Sequence, residues 1–142
     1  MKLSAKTEYA ALAMLELALR QSTAEPVRIR EIADAHGIPP RFLVQILLQL
    51  KNAGLVNSTR GAAGGYQLSK PADEVTLAMI VAVVDGVDAS LTSNTTSNAP
   101  AARALLQTWQ EIKQAEQDLL EGITLADLVD RANEKSSPMY YI

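Results

Sequence analysis

The hydrophobic pattern of residues 28–68 predicts two short helices joined by a tight turn. Ile29, Ile32 and Ala33 share one face of a first helix, and Gly37 follows at a point where a helix must end. Pro39 and Pro40 suit the first turn of a second helix, because a backbone N–H has no helical partner there. These residues therefore predict a helix-turn-helix.

The second helix divides its residues between an apolar stripe and an outward face. The stripe is expected to pack on a core and consists of Phe42, Leu43, Ile46, Leu47 and Leu50. The residues left facing outward are Arg41, Val44, Gln45 and Gln49. Arginine can pair with guanine and glutamine with adenine in the major groove of DNA, which admits a helix. The outward face therefore predicts a helix that reads bases.

Two short extended runs, residues 55–60 and 66–69, flank a glycine-rich turn and predict a wing. Gly61, Gly64 and Gly65 permit positive φ and a close approach of the backbone. Arg60 at the strand end places a cation where a phosphate or a minor groove would meet it. A helix-turn-helix outline also occurs in proteins that bind no DNA, and a glycine-rich hairpin is often only a turn. Their order and the two arginines favour DNA binding.

The sequence before the helix-turn-helix and the sequence after the wing predict two supporting helices and a loop. Ser4 is expected to cap a helix over residues 5–20, with an apolar stripe of Tyr9, Leu12, Leu15, Leu17 and Leu19. Thr76 is expected to cap a helix over residues 77–84 that is apolar on every side and should be buried. Residues 85–100 are rich in Ser, Thr and Asn and predict a flexible loop.

A long helix is predicted over residues 101–121. Leu105, Ile112 and Leu119 recur at a spacing of seven, with Trp109 between them. A single small domain has little reason to carry such a seam, which could be a dimer interface or could pack against the chain's own core. The need to read a two-fold DNA site favours the dimer interface. Thr124 and Asp127 predict a capping box for a last helix over residues 125–132, which should pack against the dimer region.

Three segments resemble the Rrf-two family of bacterial winged-helix transcriptional regulators, which includes the IscR, NsrR and CymR types: MKLSAKTEYA, EIADAHGIPPRFLVQILLQLKNAGLV and STRGAAGGYQLSKPADEVTL. The likeness continues in VVDGVDA, Trp109 and ITLADLV, so it covers nearly the whole chain. It implies that the first helix approaches the DNA backbone near Lys6 and Tyr9. Iron-sulfur members carry three cysteines in the loop, but this chain has none, and Arg103 and Leu106 before Trp109 cannot replace a cluster ligand.

The charge distribution favours DNA binding, and the composition excludes some classes of metal centre. Residues 1–70 hold nine basic and five acidic residues, while residues 71–142 hold four and eleven, giving net charges of +4 and -7. A basic front half fits a DNA-contacting domain. The absence of cysteine excludes thiolate-held zinc and iron-sulfur centres from within this chain. No catalytic constellation is present, and the lone His36 fits a polar helix end, so an enzyme is not expected.

The sequence thus predicts a mainly α-helical fold with a small β wing. It consists of a winged helix-turn-helix domain (1–85), a flexible loop (86–100), a dimerisation and closing helix (101–133) and a tail (134–142). The expected DNA-binding residues are Lys6, Tyr9, Pro40, Arg41, Val44, Gln45, Gln49, Arg60, Gly61, Gly64 and Gly65. The expected dimer residues are Leu105, Trp109, Ile112 and Leu119.

The predicted function is that of a cytoplasmic, homodimeric DNA-binding repressor that recognises a partly palindromic double-stranded operator. No metal, cofactor or iron-sulfur cluster is expected, and the apolar runs are too short to span a membrane. Whether a small molecule or a partner protein acts as effector stays open. The alternative is a protein-interaction module on a winged-helix scaffold, controlled by a partner protein.

Overall fold

The computed structural model describes residues 3–86 and 92–136, and within them the chain forms six α-helices and one two-stranded antiparallel sheet. The elements in chain order are α1 (Ala5–Leu19), α2 (Ile29–His36), α3 (Pro40–Asn52), β1 (Val56–Thr59), β2 (Gly65–Leu68), α4 (Leu77–Asp85), α5 (Pro100–Gly122) and α6 (Leu125–Ser136). The mainly helical fold with a small wing is therefore confirmed. Expectations for residues 87–91 of the loop and 137–142 of the tail lie outside the described residues.

The predicted helix ends are confirmed by their hydrogen bonds. The Ser4 side chain accepts from the Thr7 N–H at 3.1 Å, and Thr76 accepts from the Met79 N–H at 3.2 Å. Gly37 ends α2 with a φ of +65°, a conformation that glycine adopts without steric cost. These signals are local in sequence, which is why the pattern was sufficient to find them.

The core is built where α3 packs on α1. The buried side of α3 consists of Leu43, Ile46, Leu47 and Leu50, and the buried apolar residues of α1 are Ala10, Ala13, Met14, Leu17 and Ala18. Two expectations were wrong: Phe42 is 41% exposed, and Leu19 is exposed as well. Leu43, Ile46, Leu47 and Leu50 already follow the i, i+3, i+4, i+7 spacing of one helix face, and Phe42 lies outside it. In α1 the side with alanines packs inward, because small side chains let the helices approach.

A polar network joins α1 to α2. Glu16 is buried and binds Arg20 Nε at 2.6 Å and His36 Nε2 at 2.9 Å. Arg20 also donates to Glu31, so both ends of α2 are tied to α1. The hydrogen bond to Glu16 raises the pKa of the Arg20 guanidinium, which keeps it charged. His36 is thus a partner within this network.

The wing sheet is extended at its base by the segment before α2. β1 and β2 pair from Val56 with Leu68 to Thr59 with Gly65. On the other side of β2, Val27 and Tyr66 exchange two backbone hydrogen bonds of 2.8 Å. A Cβ on Gly65 would lie 2.5 Å from the Val27 carbonyl oxygen, so only glycine fits this close approach.

Helix α4 is less buried than its composition predicted. Only Ile80 is fully buried within it, and Met79 is exposed. One side of the helix packs on α1 and α3, while another faces α5. The expectation of complete burial was wrong because the helices around it cover only part of its surface.

Helix α6 closes the core on α1. Leu125 is fully buried in the main core, and α6 packs against α1 and the segment Ala72–Glu74. Packing of α6 against the dimer region stays a prediction. The capping box is confirmed, with the Thr124 N–H donating to Asp127 at 2.9 Å and the Asp127 N–H to Thr124 Oγ1 at 3.1 Å. The hydrogen bond from the Thr124 backbone lowers the pKa of Asp127.

We expect Leu47→Ala to lower the free energy of unfolding by about 2–5 kcal/mol, because truncating a fully buried side chain leaves a cavity. Leu48→Ala is the matched control, since this neighbour is 53% exposed, and the change should stay within about 0.5 kcal/mol. Urea unfolding followed by circular dichroism measures both. Equal losses would mean that α3 is rotated from the orientation described.

Candidate nucleic-acid interface

The outward face of α3 carries most of the residues that were expected to read bases. Pro40, Arg41, Val44 and Gln45 are exposed on the side away from the buried stripe. Gln49 departs from the expectation, because it is half-buried and its Oε1 is enclosed without a hydrogen-bond partner among the described residues. The first half of α3 therefore presents the polar face, and the second half turns partly inward.

Phe42 is a surface residue at the start of this face. Its ring centroid lies 6.0 Å from that of Tyr9 in α1, and the Arg41 guanidinium carbon lies 5.0 Å from the Phe42 centroid. The ring thus holds a cation on one side and links α3 to α1 on the other. Sequence reasoning placed Phe42 in the core, although its offset from the strict helical stripe was the signal for an outward position.

The start of α1 is fixed by the end of α4. The hydroxyl of Thr7 donates to the Asp85 carboxylate, and that of Ser4 lies 3.5 Å from it. A carboxylate beside the first turn of a helix is favoured by the exposed N–H groups there. Lys6 lies in this anchored turn with its side chain exposed. The predicted backbone-contacting residues Lys6 and Tyr9 thus occupy a helix start held in place by a distant part of the chain.

The loop between the wing strands is built for close packing at its centre. Gly61 has a φ of +101°, and its carbonyl accepts a hydrogen bond of 3.0 Å from the N–H of Gly64, which is buried. A Cβ on Gly64 would lie 2.1 Å from the Thr59 carbonyl oxygen. Both positions therefore require glycine. Arg60 is exposed beside them.

The cations of this surface differ from those inside the scaffold. In the part of the chain that the structure describes, Lys6, Arg41 and Arg60 form no ion pair with an acidic side chain. Arg20, by contrast, is neutralised by two glutamates. The exposed set leaves its positive charge available for an external anion.

The predicted dimer residues lie along one side of α5. Leu105, Trp109, Ile112 and Leu119 are 55%, 51%, 52% and 67% exposed. None of the residues of α5 is fully buried, and this helix packs on α4. Large apolar side chains at this exposure form a surface that water solvates poorly.

Comparison with known proteins identifies the family. The sequence pattern of the Rrf2 family, described as "Iron-dependent Transcriptional regulator", matches residues 3–131. The chain belongs to the Rrf2 family. Membership makes it a DNA-binding transcriptional regulator and not an enzyme, and confirms the resemblance found in the sequence.

Rrf2 relatives resemble the chain over nearly its whole length. A helix-turn-helix-type transcriptional regulator of Mycobacterium tuberculosis is 38% identical over 135 residues, covering 93% of this chain and 83% of the relative. The regulator IscR of Pectobacterium atrosepticum is 38% identical over 132 residues, covering 92% and 80%.

Solved structures agree with the fold. CymR (YrzC), the global cysteine regulator of B. subtilis, superposes with a TM-score of 0.81 at 34% identity, covering 92% of this chain and 98% of that one. IscR of T. potens gives a TM-score of 0.80 at 31% identity, covering 99% and 97%. No helix among the described residues of this Rrf2 protein is long and apolar enough to cross a membrane.

Proposed function

We propose that this Rrf2 protein binds a partly palindromic operator as a homodimer and represses transcription there. The observation that carries the proposal is the division of α3, which buries four aliphatic side chains and exposes Arg41, Val44 and Gln45 on its opposite side. A helix divided in this way can lie in a major groove while its other side stays in the core. Occupation of a promoter by such a dimer excludes polymerase through steric overlap.

Each exposed side chain of α3 has a matching base. The Arg41 guanidinium can donate two hydrogen bonds to guanine, and the Gln45 amide can pair with adenine. Val44 is 52% exposed and offers an apolar contact to a thymine methyl group. Pro40 lies at the helix start, which enters the groove first in this docking mode.

The surrounding elements supply contacts to the DNA backbone. Lys6 and Arg60 are exposed cations that would neutralise phosphates, and the Tyr9 hydroxyl would donate to one. Gly61, Gly64 and Gly65 keep the wing free of side chains that would hold it away from the duplex. These contacts fix the register of α3 and carry no sequence information themselves.

A second copy of the chain is the proposed occupant of the exposed seam on α5. Its four large apolar side chains follow a seven-residue spacing, which two helices bury when they pair. A groove of about 690 Å³ between residues 92–95 and α5 is lined by Leu105, Trp109 and Ile112 among others, so part of its wall belongs to the same seam. Two-fold pairing would place two α3 helices on two half-sites. An effector, whether a small molecule or a protein, would act by changing this pairing.

DNA binding by this chain is proposed to be independent of an iron-sulfur cluster. Such clusters are held chiefly by cysteine thiolates, and the sequence contains no cysteine. Residues 92–99 present hydroxyl and amide groups instead, followed by Arg103 and Leu106 on α5. Within the described ranges no group of three or more His, Asp or Glu side chains is arranged to hold a metal ion. The donors present do not fit a cluster.

Base reading is tested by Arg41→Ala and Gln45→Ala, using an operator selected from random duplex DNA and a scrambled duplex. We expect each change to weaken binding to the operator by about 1–3 kcal/mol and to leave binding to the scrambled duplex unchanged. Lys51→Ala, at the far end of α3, should affect both duplexes equally. Fluorescence anisotropy titrations measure the affinities.

Equal loss on both duplexes would remove the base-reading role of these two side chains. Failure of the unmodified protein to bind any duplex would favour the alternative of a protein-interaction module.

Dimerisation is tested by Ile112→Asp, which places a charge in the centre of the seam. We expect a monomer in sedimentation velocity and a weaker affinity for the full operator, because each chain would then hold a single half-site. Gln110→Asp adds the same charge to the same helix outside the seam and should remain dimeric. A dimer that persists in Ile112→Asp with unchanged operator affinity would show that the seam does not hold the copies together.

Independence from a cluster is tested on protein purified anaerobically from iron-replete cells. We expect no visible charge-transfer band and the same operator affinity before and after treatment with a chelator, since the chain offers no thiolate. A cysteine-containing relative handled in parallel controls for cluster loss during purification. A visible band with stoichiometric iron and sulfide, or a chelator-dependent affinity, would contradict the proposal.

A further inference from the structure

The side chain of Arg28 reaches from the start of α2 to the wing. Its guanidinium donates a hydrogen bond to the backbone carbonyl of Ala62, which lies 34 residues further along the chain. Arg28 occupies the N-cap position of α2 but makes no side-chain hydrogen bond to that helix. The Arg28 side chain thus binds the wing and does not cap α2.

The wing tip, residues 60–64, has few other constraints. The base of the wing is held by the β1–β2 pairing and by the two Val27–Tyr66 hydrogen bonds. Inside the wing tip the Gly64 N–H donates to the Gly61 carbonyl at 3.0 Å. Among the described residues, Arg28 supplies the side-chain hydrogen bond from outside to this segment. A glycine-rich loop loses much conformational freedom when it is ordered, so one external bond has a large effect on its position.

We propose that Arg28 is a positioning residue that holds the wing tip in place before DNA arrives and thereby sets the position of Arg60. The inference rests on the proposed binding of the wing to DNA. An ordered tip loses less entropy on binding than a free one, so the bond raises the affinity without touching DNA. Arg28 and Val27 are adjacent in the chain, which couples the tip and the base of the wing to the same strand-like segment.

The matched pair of variants is Arg28→Gln and Arg30→Gln. Each removes one positive charge from an exposed side chain, and the two positions are two residues apart. In the described residues Arg30 makes no side-chain hydrogen bond. A general loss of positive charge would therefore weaken DNA binding in both variants. Loss of the hydrogen bond to the Ala62 carbonyl would affect Arg28→Gln alone.

The first measurement uses the free protein. We expect ¹⁵N relaxation to give lower order parameters for the amides of Ala62, Ala63 and Gly64 in Arg28→Gln, with those of α3 unchanged. Arg30→Gln should match the unmodified protein throughout. Unchanged order in the wing tip of Arg28→Gln would overturn the proposal.

The second measurement is a double-mutant cycle on the selected operator. Arg28→Gln should weaken binding by roughly two- to tenfold, the range expected for one net hydrogen bond, and should have little further effect when Arg60→Gln is already present. Arg30→Gln should act equally in both backgrounds. An equal loss for Arg28→Gln in both backgrounds, with a salt dependence reduced by about one phosphate contact, would overturn the proposal in favour of direct phosphate binding.

The two proposals fail in different ways. If the unmodified protein binds no duplex, the proposed function fails, and the order parameters alone then decide whether Arg28 holds the tip. If the protein binds its operator but Arg60→Gln leaves the affinity unchanged, DNA binding stands and the role assigned to Arg28 is wrong.

Discussion

The orientation of α3 depends on the packing of its aliphatic stripe against α1. A helix advances by about 100° per residue, so a rotation by a single position would turn Gln45 inward and Leu43 outward. The burial of Leu43, Ile46, Leu47 and Leu50 makes such a rotation costly. The surface of α3 that we propose to face DNA is therefore set by the side chains buried on the opposite side of the helix, and the Glu16 network holds α2 in the matching position.

The elements that could be predicted from the sequence are those specified by neighbouring residues. The caps at Ser4, Thr76 and Thr124 are formed by side chains three positions from their partners, and the pattern located them correctly. The errors concern contacts made across the chain. The inward side of α1 is set by how closely alanine lets α3 approach. The burial of Leu125 depends on the packing of α6 against α1 and residues 72–74, which no local pattern encodes.

In the candidate site, too, the features set by neighbouring residues were predicted and those set by contacts across the chain were not. The outward exposure of Arg41, Val44 and Gln45 followed from helical periodicity, whereas the partly inward Gln49 and the exposed Phe42 did not. The four arginines at positions 20, 28, 41 and 60 look alike in sequence. Only the fold separates the two that bind other parts of the chain from the two whose charge stays available, because their partners lie up to 34 residues away.

An antiparallel β-bridge between Thr76 and Thr124 joins the two ends of the segment that contains α5. The backbone of residues 75–77 is hydrogen-bonded to that of residues 123–125 at 2.9 Å, so the segment that carries α4 and α5 begins and ends at nearly the same point. Both ends of this segment are fixed, and Ile80 of α4 anchors its first part in the core. Truncation ahead of Leu125 would take a buried side chain away from α1. A displacement of α5 would therefore reach the rest of the domain at the start of α4 and the start of α6 together.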